Sequence, residues 1–214
     1  GLGILAGDHL KEASDMGLPL AAIGFIYNQG YFVQKITEDG WQETSNFYLD
    51  FTKLPMIPLL DENGKNITIS VPLPGRNIVA RIWEIQVGRI PLYLLDTNVE
   101  DNSSFDQQLT AKLYTSDLET RITQEILLGI GGAEGMTFEQ AAEIVKKGNV
   151  FTTHTPVPAG NDKFPVWLVE KYFSQIWPEL GLTRDQFIDL AKEASPYGDQ
   201  FTMPILALRL SERC

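Results

Sequence analysis

The sequence predicts an α/β fold that carries an antiparallel β insertion at about residues 31–97. A helix-compatible segment ends at Gly17, and the continuous apolar run at 20–27 that follows it predicts a strand buried on both faces. Three β-rich runs separated by turn residues then predict an antiparallel meander. Much of the chain beyond residue 106 has helical periodicity, and helices interspersed with buried strands are typical of the α/β class.

The first seven residues are rich in glycine. Gly1, Gly3 and Gly7 precede a helix predicted at 8–16, so we interpret them as a tight turn that enters this helix. Glycine also lets backbone N–H groups approach a phosphate at the positive end of a helix. An anion cradle is therefore an alternative to an ordinary turn, although a lone glycine-rich turn is more often structural.

Turn signals divide the predicted insertion. Asp39-Gly40 lies between two alternating segments, 31–36 and 41–44, and predicts a β-hairpin. The runs of the meander are separated by Pro74-Gly75 and by Gly88-Arg89, and these runs are 67–71, 78–87 and 90–95. The middle run alternates, so one of its faces is expected to point into the core.

Helices are predicted after the insertion at 107–113, 117–129, 137–147, 166–176, 183–194 and 204–213. Two of them open with the Thr-x-x-Gln spacing of a capping box, at Thr137 and Thr183. A short strand at 150–153 leads into a loop at 155–165. These elements complete the α/β pattern on the far side of the insertion.

Composition excludes several classes of protein. Seventeen basic and 28 acidic residues give a net charge of −11, which disfavours binding to nucleic acid or to an anionic membrane surface. No apolar run approaches the roughly 20 residues that span a bilayer, and no basic start of a signal peptide is present. Because Cys214 is the only cysteine, no internal disulfide can form, and we expect a cytoplasmic protein. The chain lacks an initial methionine, so we expect a fragment.

Few side chains are available for common catalytic routes. Two histidines and one cysteine are too few for a zinc site of the usual nitrogen and sulfur type, and neither the Gly-x-Ser-x-Gly elbow nor the phosphate-binding loop motif is present. The densest polar cluster, 152–162, follows a predicted strand, where open α/β sheets bind ligands, although a hydrogen-bonded Pro-Gly loop is the structural alternative. Acidic residues and tryptophans could serve a glycoside hydrolase, and these are Asp8, Asp39, Asp117, Glu119 and Glu125 with Trp41, Trp83, Trp167 and Trp177. The structural alternatives are a solvated surface for the carboxylates and core or helix-end packing for Trp83 and Trp177.

A series of motifs gives essentially the whole chain a resemblance to a known family. The motifs lie at 1–11, 13–19, 27–32, 39–42, 88–97, 121–132 and 151–162. In this order they resemble the shorter bacterial α-glucan phosphorylases, which act on glycogen and maltodextrin. Several long motifs in one order are far more specific than any one of them alone.

The resemblance implies that 1–214 form part of the N-terminal domain of a two-domain enzyme, namely the Rossmann-like portion of a glycosyltransferase B-type fold. It implies a pyridoxal-phosphate enzyme that uses inorganic phosphate to release glucose 1-phosphate from α-1,4-glucans with retention. Gly1, Leu2 and Gly3 would form the loop whose backbone amides approach phosphate and glucose. The main-chain carbonyl of His154, next to Thr155, would contact the glucosyl unit, so His154 is a positioning residue.

The chain also departs from the family pattern. Only Gly1 remains of an initial Gly-Gly pair, an active-site stretch usual in relatives is missing after Gly132, and Thr202 stands where Asn is usual. The second domain, which supplies the cofactor lysine and the cationic phosphate-binding side chains, is not within 1–214. We therefore expect no complete catalytic set, no metal site and no pyridoxal phosphate bound by this chain alone.

Three hypotheses follow from the sequence. The first is a phosphorylase fragment that is inactive alone and whose partners are α-1,4-glucan and inorganic phosphate, in a parent enzyme compatible with a homo-oligomer. The second is a noncatalytic carbohydrate-binding or oligomerisation module. The third, a retaining hydrolase with a carboxylate pair, has the least support.

Overall fold

The computed structural model describes residues 2–30, 33–45, 47–113, 115–130 and 161–211. The chain divides into two compact units, 1–132 and 133–214. Each unit combines helices with β-strands, so the α/β class is confirmed. The helix predicted at 137–147 and the strand predicted at 150–153 lie outside the described residues.

The first helix, α1 (Leu2–Asp15), begins earlier than predicted. Gly3 and Gly7 therefore lie inside a helix, and the predicted glycine turn ahead of residue 8 is wrong. Leucine and alanine in this segment are strong helix formers, which offsets the roughly 1 kcal/mol that each glycine costs. Gly17, with a φ of 67°, ends the helix as predicted, and the next N–H closes a Schellman motif with a 3.0 Å hydrogen bond.

Strand β1 (Ala22–Phe25) follows α1 and is succeeded by the predicted hairpin of β2 (Val33–Ile36) and β3 (Gln42–Ser45). Gly40 has a φ of 82° in the turn of this hairpin. Every residue of β2 and β3 is exposed, and Trp41 beside the turn is 77% exposed. The hairpin prediction is confirmed.

Apart from this hairpin, the first unit contains a sheet of five strands, of which β1 is one. Its remaining members are β4 (Ile57–Pro58), β5 (Thr68–Leu73), β6 (Arg76–Val87) and β7 (Ile90–Asp96). Strand β1 pairs in parallel with β7, β7 pairs antiparallel with β6, and β6 pairs antiparallel with both β4 and β5. The meander is confirmed. Because β1 lies at the edge and Ile23 on it is 47% exposed, the prediction of burial on both faces is wrong.

Glycine makes both turns of the meander. Gly75 and Gly88 have φ angles of 75° and 61°. Gly88 is the first central residue of a two-residue turn between Val87 and Ile90, and no described non-glycine residue has a positive φ. This is the arrangement of a type II′ turn, whose twist matches that of the strands it joins.

Helix α2 (Leu118–Ile130) confirms the helix predicted at 117–129, whereas the helix predicted at 107–113 is wrong. Only one 3-10 turn, Asp106–Gln108, forms in that segment. Its polar side chains bond to loop backbone instead: the amide of Gln107, for example, donates to the carbonyls of residues 99 and 102 at 3.0 and 3.1 Å. Such side-chain bonds offer the backbone an alternative to a helix.

Replacing Asp117 with alanine is expected to lower the free energy of unfolding by about 1 kcal/mol, because its carboxylate accepts the N–H of Thr120 at 2.8 Å and caps α2. The hydroxyl and backbone N–H of Thr120 lower the pKa of Asp117. The stabilisation is therefore present above the unfolded pKa of about 4 and is lost as pH falls through the lower folded value. Urea denaturation between pH 3 and pH 6 would measure the loss. Asp117→Asn should keep the cap and remove this pH dependence; an unchanged pH profile would contradict the assignment.

The described part of the second unit has a three-stranded antiparallel sheet whose central strand is Gln200–Thr202. Its elements are β8 (Lys163–Pro165), α3 (Val166–Phe173), α4 (Ile176–Glu179), α5 (Arg184–Asp189), β9 (Lys192–Glu193), β10 (Gln200–Thr202) and α6 (Met203–Arg209). Phe164 and Val169 are fully buried, and the ring of Phe187 stacks on Phe201 with centroids 5.8 Å apart. These residues form the core of the unit.

The helix predicted at 183–194 is correct only in its first half. Its capping box is confirmed, since the side chains and backbone N–H groups of Thr183 and Gln186 bond reciprocally at 2.8 and 3.3 Å. The helix ends at Asp189, and β9 joins the sheet because β10 offers it a backbone partner. The helices predicted at 166–176 and 204–213 are present but end earlier than predicted, at Phe173 and Arg209.

Candidate functional site

The N-terminus of α1 carries the described part of the predicted phosphate-binding segment. Leu2 and Gly3 lie in its first turn, whereas Gly1 lies outside the described residues. The first four N–H groups of an α-helix have no acceptor within the helix, and the helix dipole places partial positive charge there. Ile4 is 69% exposed and Leu5 is 46% exposed, so this end of α1 is not packed into a core.

The opposite end of α1 is fixed to the turn between β6 and β7. The backbone N–H of Arg89 donates to the hydroxyl oxygen of Ser14 at 2.9 Å, and Ser14 is buried. A Cβ on Gly88 would lie only 2.1 Å from that oxygen. A side chain at residue 88 would thus displace the hydroxyl that holds α1.

His154 and Thr155 lie outside the described residues. A polar cluster missed by the sequence analysis lies in the same unit. The ammonium group of Lys163 lies 2.7 and 2.8 Å from the two carboxylate oxygens of Glu193, which also accepts the hydroxyl of Thr202 at 2.7 Å. Bonds from Lys163 and then Thr202 lower the pKa of Glu193. The Glu193 carboxylate thus joins side chains from all three strands of this sheet, and one of its donors is Thr202, noted above as a departure from Asn.

A second buried cluster lies at the carboxyl end of β7. Asp96 is 2% exposed and accepts hydrogen bonds from Arg81 at 2.8 Å, the indole N–H of Trp83 at 3.2 Å and the backbone N–H of Asn98 at 2.9 Å. The Arg81 guanidinium also lies 5.1 Å from the centre of the Trp83 ring. With its carboxylate oxygens occupied by protein donors, Asp96 is a structural residue.

The loop after β7 is held by two further buried side chains. The amide of Asn102 donates to the carbonyls of Val79 and Thr97 at 2.6 and 2.7 Å and accepts the Val79 N–H at 2.9 Å. The hydroxyl of Thr110 accepts the Thr97 N–H at 3.1 Å. These bonds satisfy backbone groups that the sheet leaves free, and they fix the loop without forming a ligand site.

The tryptophans and acidic residues considered for a glycoside hydrolase do not share one structural role. Trp83 is in the core, as its strand alternation predicts, and Trp177 packs on Phe187, whereas Trp41 and Trp167 are exposed. Asp117 caps α2, so it is engaged in structure. Among the described residues there is no group of three potential metal ligands and no helix long and apolar enough to cross a bilayer.

No family model matches the chain. Individual known proteins, however, match it along essentially its whole length. A maltodextrin phosphorylase from Thermococcus litoralis is 42% identical over 99% of the chain, and a glycogen phosphorylase from Mycobacterium tuberculosis is 40% identical over 100%. A glycogen phosphorylase from Aquifex aeolicus is 32% identical over 99%. The chain belongs to the glycogen and maltodextrin phosphorylase family. The predicted family is confirmed.

The chain spans only 29%, 30% and 35% of the lengths of these three phosphorylases. The matches to the first two extend over 244 and 262 residues, more than the 214 residues of the chain. These phosphorylases therefore contain residues within the matched region that have no counterpart here. This excess supports the prediction that a stretch usual in the family is missing, and its position after Gly132 stays a prediction.

Proposed function

We propose that this chain is part of an α-glucan phosphorylase, a cytoplasmic glycosyltransferase that releases glucose 1-phosphate from α-1,4-glucans. An oxygen of inorganic phosphate bonds to C1 of the terminal glucosyl unit, the bond from C1 to O4 of the next unit breaks, and a proton ends on O4. The proposal is carried by the 42% identity to a maltodextrin phosphorylase along nearly the whole chain. The chain would be the Rossmann-like part of the N-terminal domain of a glycosyltransferase B-type fold.

The proposed substrate-binding residues are Gly1, Leu2, Gly3, His154 and Thr155. Backbone N–H groups at 1–3 would face the phosphate and the glucosyl unit, which suits the positive end of α1. The main-chain carbonyl of His154 would accept a bond from a glucosyl hydroxyl. These residues orient substrate and supply no acid or base, so they make up one part of the site.

The described residues do not fit pyridoxal phosphate, the cofactor expected for the family. Every described lysine is exposed or half-buried, and Lys163 and Lys192 are held in ion pairs with Glu193 and Asp199. A Schiff-base lysine requires a neutral amine, which burial favours and an ion pair opposes. We therefore propose that the described residues do not hold the cofactor and that, as the resemblance implies, a second domain supplies its lysine.

The proposed function predicts that the protein encoded by the complete open reading frame releases glucose 1-phosphate from maltoheptaose only when inorganic phosphate is present. Residues 1–214 alone should release none, because many of the groups that position the substrate lie elsewhere. A coupled assay for glucose 1-phosphate measures both proteins. Release of reducing sugar without phosphate would identify a hydrolase and contradict the proposal, and so would phosphorolysis by the 214-residue chain.

A noncatalytic carbohydrate-binding module is the second candidate, favoured by Trp41 and Trp167, which are 77% and 61% exposed. Exposed indole rings offer flat apolar faces to sugars. Isothermal titration of the 214-residue chain with maltoheptaose distinguishes this candidate. The module would be favoured by two results together: maltoheptaose binding that Trp41→Ala or Trp167→Ala abolishes, and no phosphorolysis by the complete protein.

A further inference from the structure

Helix α1 packs against the five-stranded sheet through its C-terminal half. Ile4 and Leu5 are exposed, whereas Leu10 and Ala13 are buried and pack against Ile90, directly after the β6–β7 turn. The position of the N-terminal half therefore depends on how the C-terminal half is held. Apolar packing is not directional, so this cluster alone does not fix the helix along its axis.

A hydrogen bond to the β6–β7 turn does fix the helix along its axis. Ser14 is 7% exposed, and its hydroxyl oxygen accepts the Arg89 N–H at 2.9 Å. Gly88 supplies the space, since a Cβ there would lie 2.1 Å from that oxygen and 3.1 Å from the Cβ of Ser14. The guanidinium of Arg89 lies alongside Gly17, where a Cβ would be 3.1 Å from its Nη1. Gly88 and Arg89, the two residues of this turn, thus both pack against the C-terminal end of α1.

We propose that Ser14 is a positioning residue for the substrate phosphate: its contact with Gly88 and Arg89 sets the position of α1 and thereby of Leu2 and Gly3. The proposal rests on the proposed function, which assigns the backbone amides of that segment to the phosphate and to the terminal glucosyl unit. Ser14 is separated from Gly3 by roughly 16 Å of helix. Because the hydrogen-bonded helix moves as a rod, a shift at Ser14 displaces the first turn, and a misplacement of about 1 Å can cost up to about 100-fold in rate.

The test uses Ser14→Ala in the protein encoded by the complete open reading frame. Its matched control is Thr110→Val, which also removes a buried hydroxyl that accepts a backbone N–H, here that of Thr97, away from α1. The readouts are the KM for phosphate, the KM for maltoheptaose, and amide hydrogen exchange in residues 6–13. Ser14→Ala should raise the KM for phosphate about ten-fold and accelerate exchange in α1, and it should raise the KM for maltoheptaose by less, because only the terminal glucosyl unit of that glucan meets this segment. Thr110→Val should do none of these.

Two results would overturn the proposal. Ser14→Ala could leave exchange in α1 unchanged, which would show that the contact does not hold the helix. It could instead accelerate exchange without changing the KM for phosphate, which would show that the helix position does not govern phosphate binding. Failure of the unaltered protein to release glucose 1-phosphate is a separate outcome: it overturns the proposed function and, with it, any role of Ser14 toward phosphate, whatever the exchange shows.

Discussion

Replacing Asp96 with alanine is expected to lower the free energy of unfolding by about 3–5 kcal/mol, the usual cost of removing one partner of a buried ion pair. The side chain of Asp96 is 3% exposed, and its carboxylate accepts bonds from Arg81, Trp83 and Asn98. The indole N–H of Trp83, itself buried, would lose its acceptor. The side chain of Arg81 is 26% exposed and can turn toward water, which favours the lower end of this range.

Urea denaturation followed by circular dichroism would measure this loss. Asp101→Ala is the matched control, because Asp101 is an exposed aspartate in the loop after the same strand and should change stability by less than about 0.5 kcal/mol. Asp96→Asn should fall between the two, since it keeps an acceptor and loses the charge. Equal midpoints for Asp96→Ala and Asp101→Ala would show that the carboxylate does not hold the strands together.

The elements predicted correctly are those whose cause lies within a few residues. Positive-φ glycines mark the end of α1 and the turns of the hairpin and meander, and the Thr183 capping box spans three residues. Each signal depends on backbone conformation or on a side chain bonding its own neighbours. Such signals need no knowledge of the rest of the fold.

The elements predicted wrongly depend on distant partners. Residues 107–113 do not form an α-helix because the side chains of Gln107 and Thr110 bond the backbone that follows β7. Lys192–Glu193 is a strand because β10 lies beside it. The Lys163–Glu193 ion pair joins residues 30 positions apart, and the Ser14–Arg89 bond joins residues 75 apart. No local pattern reports these pairings.

The candidate site is predicted by motif rather than by local physics. The structure places Leu2 and Gly3 on the first turn of α1, whereas Gly1, His154 and Thr155 lie outside the described residues. Their roles therefore stay predictions of the resemblance. What the structure adds is the support behind the first turn, namely the contact of Ser14 with Gly88 and Arg89.

Gly88→Ala is the second large effect, with an expected loss of about 1.5–3.5 kcal/mol in the free energy of unfolding. Part of the loss is backbone strain, because an L-residue at a φ of 61° costs roughly 1–2 kcal/mol. The rest arises because the new methyl group would lie 2.1 Å from the Ser14 oxygen, which must rotate away and leave the Arg89 N–H without its acceptor. Because Arg89 is exposed and its bond to Ser14 is only partly buried, losing that bond costs about 0.5–1.5 kcal/mol, the net contribution of a typical hydrogen bond.

Gly75→Ala separates these two contributions. Gly75 has a φ of 75° in the neighbouring turn of the meander, and a Cβ there meets no atom within 4 Å, so its substitution should show the backbone strain alone. Combining Gly88→Ala with Ser14→Ala should cost less than the sum of the single variants, because the clash and the lost bond are counted in both. If Gly88→Ala and Gly75→Ala lower the urea midpoint equally, and the double variant is additive, the turn does not hold α1 through Ser14. A clear difference, together with a double variant that costs less than the sum, would establish that the β6–β7 turn fixes the helix whose first turn we assign to phosphate.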